Sequence, residues 1–93
     1  MPINYKYSED TTLLEMKQYV DATYGEHYAS KNGVQVMDLI DARGHGTSFS
    51  QDAIIKYAYR YGLKGGNTRK DLLKIIHYAM FLLHFHDRDI NGK

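Results

Sequence analysis

Residues 68–86 read TRKDLLKIIHYAMFLLHFH, and this stretch decides the fold. Thr68 is a good helix N-cap, and Asp71 three residues later lies near the positive end of the helix macrodipole. Six apolar residues then recur at helical spacing on one stripe: Leu72, Ile75, Ile76, Ala79, Leu82 and Leu83. Three more lie on other sides: Leu73, Met80 and Phe81. We expect a helix of roughly 28 Å ending near His86. An apolar surface nearly all round the helix predicts that a partner subunit covers it in so short a chain.

Ninety-three residues leave no room for a second core, so residues 1–93 are predicted to form a single domain. Residues 1–8 and 87–93 are polar and are expected to be tails. Between them we predict an all-α fold. About four helices form a small bundle around the long C-terminal helix, and oligomerisation completes it.

Capping boxes mark the starts of the first and third predicted helices, at residues 12–15 and 48–51. In such a box, two side chains satisfy amides that the first helical turn leaves without partners. The first helix is expected at residues 12–23, with Gly25 as its stop, and the third helix ends at Gly62.

The second predicted element covers residues 34–43, and Gly44 and Gly46 end it. The alternation of Val34 and Val36 is also typical of a strand. No partner strand is apparent elsewhere in the sequence, so a helix is preferred.

Composition limits the partners of this domain. The net charge is only +1, so no overall basic field would attract nucleic acid or a membrane, and any anion site must be a local cluster. The chain has no cysteine, which excludes disulfides and thiolate metal sites and permits an intracellular compartment. No signal peptide is visible, and the longest apolar run is far too short to span a bilayer. We therefore expect neither a membrane nor a sequence-specific nucleic acid as partner.

A basic, glycine-rich joint at residues 56–70 is the candidate site. Lys56 and Arg60 lie four residues apart, where like charges repel, and Arg69 and Lys70 oppose the macrodipole in the first turn of the last helix. Both features are explained if an anion binds where free helix amides and glycines allow close approach. The ligand-binding residues predicted from this stretch are Lys56, Tyr59, Arg60, Lys64, Gly65, Gly66, Asn67, Thr68 and Arg69. The alternative is a flexible turn between two solvated helix ends.

Other polar groups support weaker hypotheses. His77 and His84 lie seven residues apart, which is not the spacing of a helical metal site, so we predict no metal and no cofactor. Asp38 and Asp41 are most simply a solvated face. Tyrosines can stack on a nucleobase, as expected for Tyr59, but most of the nine fit core or interface packing.

Separate pieces of sequence between residues 27 and 78 together resemble a known family. The pieces are His27-Tyr28, residues 33–40, Phe49, residues 54–57, Arg60, Gly62, Lys64, Asp71-Leu72-x-Lys74 and Tyr78. Their order resembles a family of small bacteriophage proteins of unknown function, whose domain also occurs in a phage nucleotide kinase that lacks a P-loop. The chain departs from that pattern at Asp52-Ala53, where a Gly-Asn-like pair is expected, and it lacks the extra length of the kinase members.

The resemblance implies a phage protein in the cytoplasm of the infected bacterium, a helical homo-oligomer and a nucleotide ligand. It adds His27, Tyr57 and Asp71 to the candidate site and supports Lys56, Arg60 and Lys64. Tyr28, in the matching pair with His27, is predicted with them as a ring that can stack on a base. Subunit interfaces are the expected place for such sites.

Three functions fit these observations. The first is a non-catalytic protein that sequesters a phosphorylated nucleotide signal of host antiviral defence, linear or cyclic. The second is a nucleotide kinase acting on nucleoside monophosphates, and the third is a module that binds a host protein. The sequence has no phosphate loop, no acidic Mg²⁺ cluster, no nucleophile elbow and no HExxH motif, so we assign no catalytic residues and prefer the first function.

Overall fold

The computed structural model describes residues 2–26, 33–63, 65 and 68–91. These residues form four α-helices and no strand: α1 (Glu9–Glu26), α2 (Val36–Ala42), α3 (Gly46–Arg60) and α4 (Arg69–Asn91). The predicted all-α fold with a long C-terminal helix is confirmed. The helical prediction for the second element is confirmed as well, within narrower bounds.

Helices α3 and α4 pack antiparallel and form the main contact of the fold. Gly46 at the start of α3 lies against Phe85 late in α4, while Arg60 at the end of α3 pairs with Asp71 at the start of α4. Helix α2 packs on α3, and α1 contacts α4 at a few positions. The carboxyl-terminal end of α3 and the amino-terminal end of α4 therefore lie side by side, and the candidate site lies between them.

Helix α1 begins one turn earlier than predicted. Ser8, with φ +61°, lies just before the helix, and its carbonyl accepts the amide of Thr12 at 2.9 Å. The capping box expected at residues 12–15 is therefore wrong, because Glu9 already begins the helix near the favourable end of its dipole. Gly25 lies inside α1 and does not stop it.

The start of α3 also differs from the prediction. Gly46 was expected to help end α2, but it begins α3, and Gly44 with φ +83° makes the turn alone. The capping box expected at residues 48–51 is wrong: Ser48 donates to the carbonyl of His45 at 3.3 Å. Ser50 is fully buried and donates to the carbonyl of Gly46 at 2.8 Å.

Helix α4 continues past residue 86 to Asn91, so most of the expected C-terminal tail is helical. Contacts of Arg88 stabilise the additional helical residues. Its guanidinium pairs with Asp41 of α2 at 2.5 Å and lies 5.0 Å from the ring centre of Phe85. Within this chain the helix is not buried all round. Its inner side includes Asp71, His77 and Phe85, whereas much of the predicted apolar stripe is exposed.

Candidate functional site

Two glycines are among the described residues between the end of α3 and the start of α4. Gly62, with φ +89°, follows the last turn of α3 as predicted, and Gly65 has φ +72°, a left-handed backbone that favours glycine. Thr68 caps α4, since its carbonyl and hydroxyl oxygens both accept the amide of Asp71, at 3.2 and 3.4 Å.

An open depression of about 800 Å³ lies in the angle between these two helix ends. Its lining residues are Lys56, Tyr59, Arg60, Leu63, Thr68, Lys70 and Asp71. The volume falls within the usual range for small-molecule sites. Three cationic side chains and one carboxylate therefore share a single concavity beside a helix N-terminus.

The carboxylate in this depression, Asp71, forms an ion pair with Arg60. Arg60 donates to Asp71 through Nη2 at 2.7 Å and Nε at 3.5 Å. The Asp71 side chain is only 4% exposed, whereas that of Arg60 is 48% exposed. The hydrogen bond from Arg60 lowers the pKa of Asp71 and, reciprocally, raises the pKa of Arg60. Asp71 thus fixes the guanidinium at the rim and leaves part of it facing outward.

A tyrosine ring brings three cations close together beside the depression. Lys56 Nζ, the Arg60 guanidinium carbon and Lys74 Nζ lie 5.2, 4.9 and 4.9 Å from the ring centre of Tyr57. The half-buried ring is held from behind by Tyr78, with centroids 6.1 Å apart and planes 17° from parallel. Cation–π attraction offsets part of the repulsion among the three positive groups.

The structure brings together five residues of the predicted site: Lys56, Tyr59, Arg60, Thr68 and Asp71. Tyr57 lies beneath them, and Gly65 lies in the connecting turn. Arg69 does not line the depression, because it makes a two-pronged contact with Glu15 of α1 at 2.6 and 2.7 Å. Five predicted residues lie outside the described part of the chain: His27, Tyr28, Lys64, Gly66 and Asn67.

The predicted list of ligand-binding residues lacked three residues that the geometry adds, although Lys70 belonged to the predicted basic joint and Lys74 to the family resemblance. Lys70 and Leu63 line the depression, and Lys74 reaches Tyr57 from α4. The signal for Lys74 was present: it lies three residues after Asp71, which places both on one helix face. Lys70 and Arg69 both lie in the first turn of α4. They differ because Arg69 pairs with Glu15 of α1, whereas Lys70 lines the depression.

A smaller cleft of about 170 Å³ lies on the other side of Lys56, which borders both spaces. Its other lining residues are Phe49, Asp52, Ala53, Tyr57 and Tyr78. Aromatic rings form its walls, with Phe49 edge-on to Tyr78 at 6.0 Å. The cleft contains Asp52 and Ala53, the pair at which the chain departs from the family pattern.

His77 and His84 line a third space, of about 340 Å³, formed mainly by residues of α1, α2 and α4. His77 is buried, stacks on Phe81 at 4.8 Å and meets the edge of Tyr19 at 5.7 Å. Burial lowers the pKa of His77. His84, also on α4, is exposed. His77 therefore serves as a packing residue in this fold.

Neither a metal centre nor a membrane-spanning helix is found among the described residues. In that part of the chain, no three His, Asp or Glu side chains gather as they would around a metal ion. Each helix described above is also too short or too polar to cross a lipid bilayer.

Comparison with known proteins places the chain in a family. Neither the curated proteins nor the solved structures contain a significant match. A family model described as a protein of unknown function (DUF3310) matches residues 22–80, more than half of the chain. The match spans α2, α3, the connecting turn and the first half of α4, and so includes the whole depression. The chain therefore belongs to the DUF3310 family of proteins of unknown function.

Proposed function

We propose that this protein binds the phosphate groups of a nucleotide in the depression between α3 and α4, and that it holds the nucleotide without converting it. One observation carries the proposal: Lys56, Arg60 and Lys70 line a single depression in which Asp71 is the one carboxylate among the described lining residues. Because Asp71 is already neutralised by Arg60, the two lysines are left as net positive charge facing the space.

Each part of the depression suits a nucleotide. The lysines supply point charges, and the outward part of Arg60 supplies further donors for phosphate oxygens. The amino-terminal end of α4 adds the positive end of a helix dipole. Tyr59 is 77% exposed on the wall and offers a ring on which a nucleobase can stack.

The chemistry of the site favours binding over phosphoryl transfer. A kinase site normally needs a base or a positioning carboxylate near the acceptor, and carboxylates for Mg²⁺. The carboxylate present here accepts two bonds from Arg60, and its lowered pKa makes it a weaker base. Sequestration therefore uses the groups of this depression better than catalysis does.

The resemblance to bacteriophage proteins supports the biological part of the proposal. A phage chain that holds a nucleotide intact would act as a sponge in the infected bacterium, removing a linear or cyclic nucleotide signal of antiviral defence. The kinase and the host-protein module remain the rival functions, and each predicts a different experimental result.

Calorimetric titration at low ionic strength tests the proposal, with pyrophosphate, AMP, ATP and a cyclic dinucleotide as probes. At least one phosphorylated probe should bind, and added salt should weaken the binding because the attraction is electrostatic. Chromatography of the incubated mixture should recover that probe unchanged. Conversion of a triphosphate and a monophosphate would replace sequestration with the kinase function, and a flat titration for every probe would favour the host-protein module.

Lys56→Gln is the cleanest variant for this titration, because it leaves the Arg60–Asp71 pair intact. We expect it to weaken binding about tenfold, since one charged hydrogen-bond donor is lost. Lys17→Gln is the matched control: Lys17 pairs with Asp21 on the exposed face of α1, away from the depression. Equal affinities in both variants would show that the ligand binds elsewhere.

A further inference from the structure

Helix α4 carries a row of apolar residues, interrupted by His86, that the rest of the described chain leaves exposed. Leu72, Ile76, Leu83 and Ile90 are 39%, 36%, 62% and 67% exposed, and Ala79 is exposed among them. Met80 flanks the same face and is also exposed. An apolar surface of this length on one helix is typical of a contact with another protein.

The spacing of these residues is that of a coiled-coil seam. Exposed residues at 72, 76, 79, 83, 86 and 90 form one line along the helix, in which the steps alternate between four and three residues over five steps. This alternation is the a/d pattern of a helix that pairs with another helix along its length. Other exposed residues of α4, such as Met80, His84 and Asp87, lie beside this line.

The opposite side of α4 is occupied by α1 and α3, through contacts such as Tyr19 with His77 and Tyr78 with Tyr57. The seam is therefore a separate face. Arg69, at the position that precedes Leu72 in the seam, pairs with Glu15 of α1 and so limits the seam at its amino-terminal end.

The surface area of the chain agrees with a missing contact. A compact monomer of 10.8 kDa exposes about 5,500 Å². This chain exposes 7486 Å², and its radius of gyration of 15.3 Å exceeds the roughly 12 Å of a compact domain of its length. The exposed segment at residues 2–8 accounts for part of the excess. A stable complex needs about 800 Å² per partner, which is less than the excess of about 2,000 Å².

The seam is complementary to itself when two copies run in opposite directions. A two-fold axis near residue 81 then relates the two helices. Each d position of one subunit faces an a position of the other. Leu72 faces Ile90 of the partner subunit, and Ile76 faces His86 of the partner subunit. Ala79 faces Leu83 of the partner subunit, so a small side chain meets a large one. A parallel pair would instead place alanine against alanine and histidine against histidine, and would align the two macrodipoles unfavourably.

We propose that the occupant of this seam is a second copy of the chain, and that the protein is a two-fold dimer built on antiparallel α4 helices. The contact is independent of any nucleotide. In the dimer, the last turn of each α4 helix lies beside Leu72 of the other subunit, whereas Lys70 lies two residues away on the other side of the helix. The two depressions lie near opposite ends of the shared helix pair.

Light scattering during gel filtration tests the dimer. The chain should elute with about twice its mass of 10.8 kDa. The double variant Ile76→Asp/Leu83→Asp should elute as a monomer, with its helix content by circular dichroism retained, because both side chains are exposed in the single chain. The control Ile55→Asp changes an equally exposed isoleucine on α3 and should remain a dimer. A monomeric wild type, or a dimer that survives the double variant, would overturn the proposal.

A distance measurement tests the direction of the helices. The chain has no cysteine, so a single spin label can be attached through Lys70→Cys. Antiparallel helices place the two labels roughly 33 Å apart along the axis, at about 1.5 Å per residue. Parallel helices would bring them within about 20 Å, given an interaxial distance of about 8–10 Å. The shorter distance would rule out the antiparallel arrangement.

Discussion

Asp71 links the stability of the fold to the charge of the candidate site. It is 3% exposed, it accepts from Arg60, and its own amide is capped by Thr68. Its ionised form is favoured in the native state, because Arg60 lowers its pKa. A depressed acid pKa contributes stability at neutral pH, and that contribution is lost as pH falls through the native pKa. Loss of the carboxylate charge also leaves Arg60 without its ionic partner at the start of the site.

We therefore expect Asp71→Asn to lower the melting temperature by about 5 °C or more, since a buried charge-assisted pair is lost. Differential scanning calorimetry at neutral pH measures the change. Asp52→Asn is the matched control, because it removes an exposed carboxylate from α3. A melting temperature equal to that of the control would show that the pair holds nothing in place.

His77 predicts a specific pH dependence. Burial among Tyr19, Phe81 and neighbouring rings lowers its pKa below the ordinary value of about 6.5. Between the native pKa and about 6.5, the unfolded chain binds a proton that the native chain does not bind. Stability should therefore decrease as pH falls below about 6.5, by at most about 1.4 kcal/mol per pH unit from this group.

Urea unfolding at about pH 7, 6 and 5 measures that slope. His77→Phe keeps an aromatic ring against Phe81 and should flatten the dependence over this range. The exposed His84 provides the control, since His84→Gln should leave the slope in place. An unchanged slope in His77→Phe would assign the dependence to another group.

At the scale of helices, the crossing of α3 and α4 depends on Gly46. A Cβ at this position would lie 2.6 Å from Asp41 Oδ1 and 2.9 Å from Phe85 Cε2. Gly46→Ala should therefore destabilise the protein by about 1–3 kcal/mol, the usual cost of overpacking. Gly25→Ala makes the opposite prediction, because nothing lies within 4 Å of its Cβ and it lies inside α1. It should gain up to about 1 kcal/mol.

Denaturant unfolding of the two alanine variants decides this point. The difference between them should exceed about 1 kcal/mol, with Gly46→Ala the less stable. Equal stabilities would mean that α3 moves away from Phe85 without penalty.

The helix boundaries show which structural information was local in the sequence. The start of α4 was predictable, because Thr68 and the amide it caps are three residues apart. The end of α4 was not, since Arg88 is held by Asp41, 47 residues away. Gly46 resembled a helix stop by residue type, and its role at the start of α3 depends on Phe85. Local rules therefore identified the four helices and misplaced the ends that tertiary contacts determine.

The candidate site divides in the same way. Lys56 and Arg60 were predictable, because a four-residue spacing on one helix brings them together. The role of Arg69 was not predictable, because its partner, Glu15 of α1, lies 54 residues away in the sequence. The same charge at Lys70 faces the depression. Arg69 therefore connects α4 to α1, and Lys70 lines the site. The sequence alone does not distinguish these two neighbours, because their difference depends on the position of α1 in the fold.

For the whole molecule, the binding of phosphate should couple to stability. A ligand that binds only the native chain stabilises it by about 2.7 kcal/mol at a hundred times its Kd. The melting temperature should therefore rise with nucleotide concentration in the wild type. In Lys56→Gln the rise should need about ten times more ligand. If the melting temperature rises equally in both proteins at the same nucleotide concentration, the stabilising ligand does not bind in this depression.

The most direct test of the central claim is to map the bound phosphate on the protein by heteronuclear NMR during titration with pyrophosphate and then with the tightest nucleotide. Phosphate bound in the depression should give its largest amide shifts at residues 56–63 and 68–74. These shifts should saturate with added ligand and become much smaller in Lys56→Gln. Shifts that are absent, or that cluster on α1 and α2 while these residues stay unchanged, would contradict a phosphate site between α3 and α4.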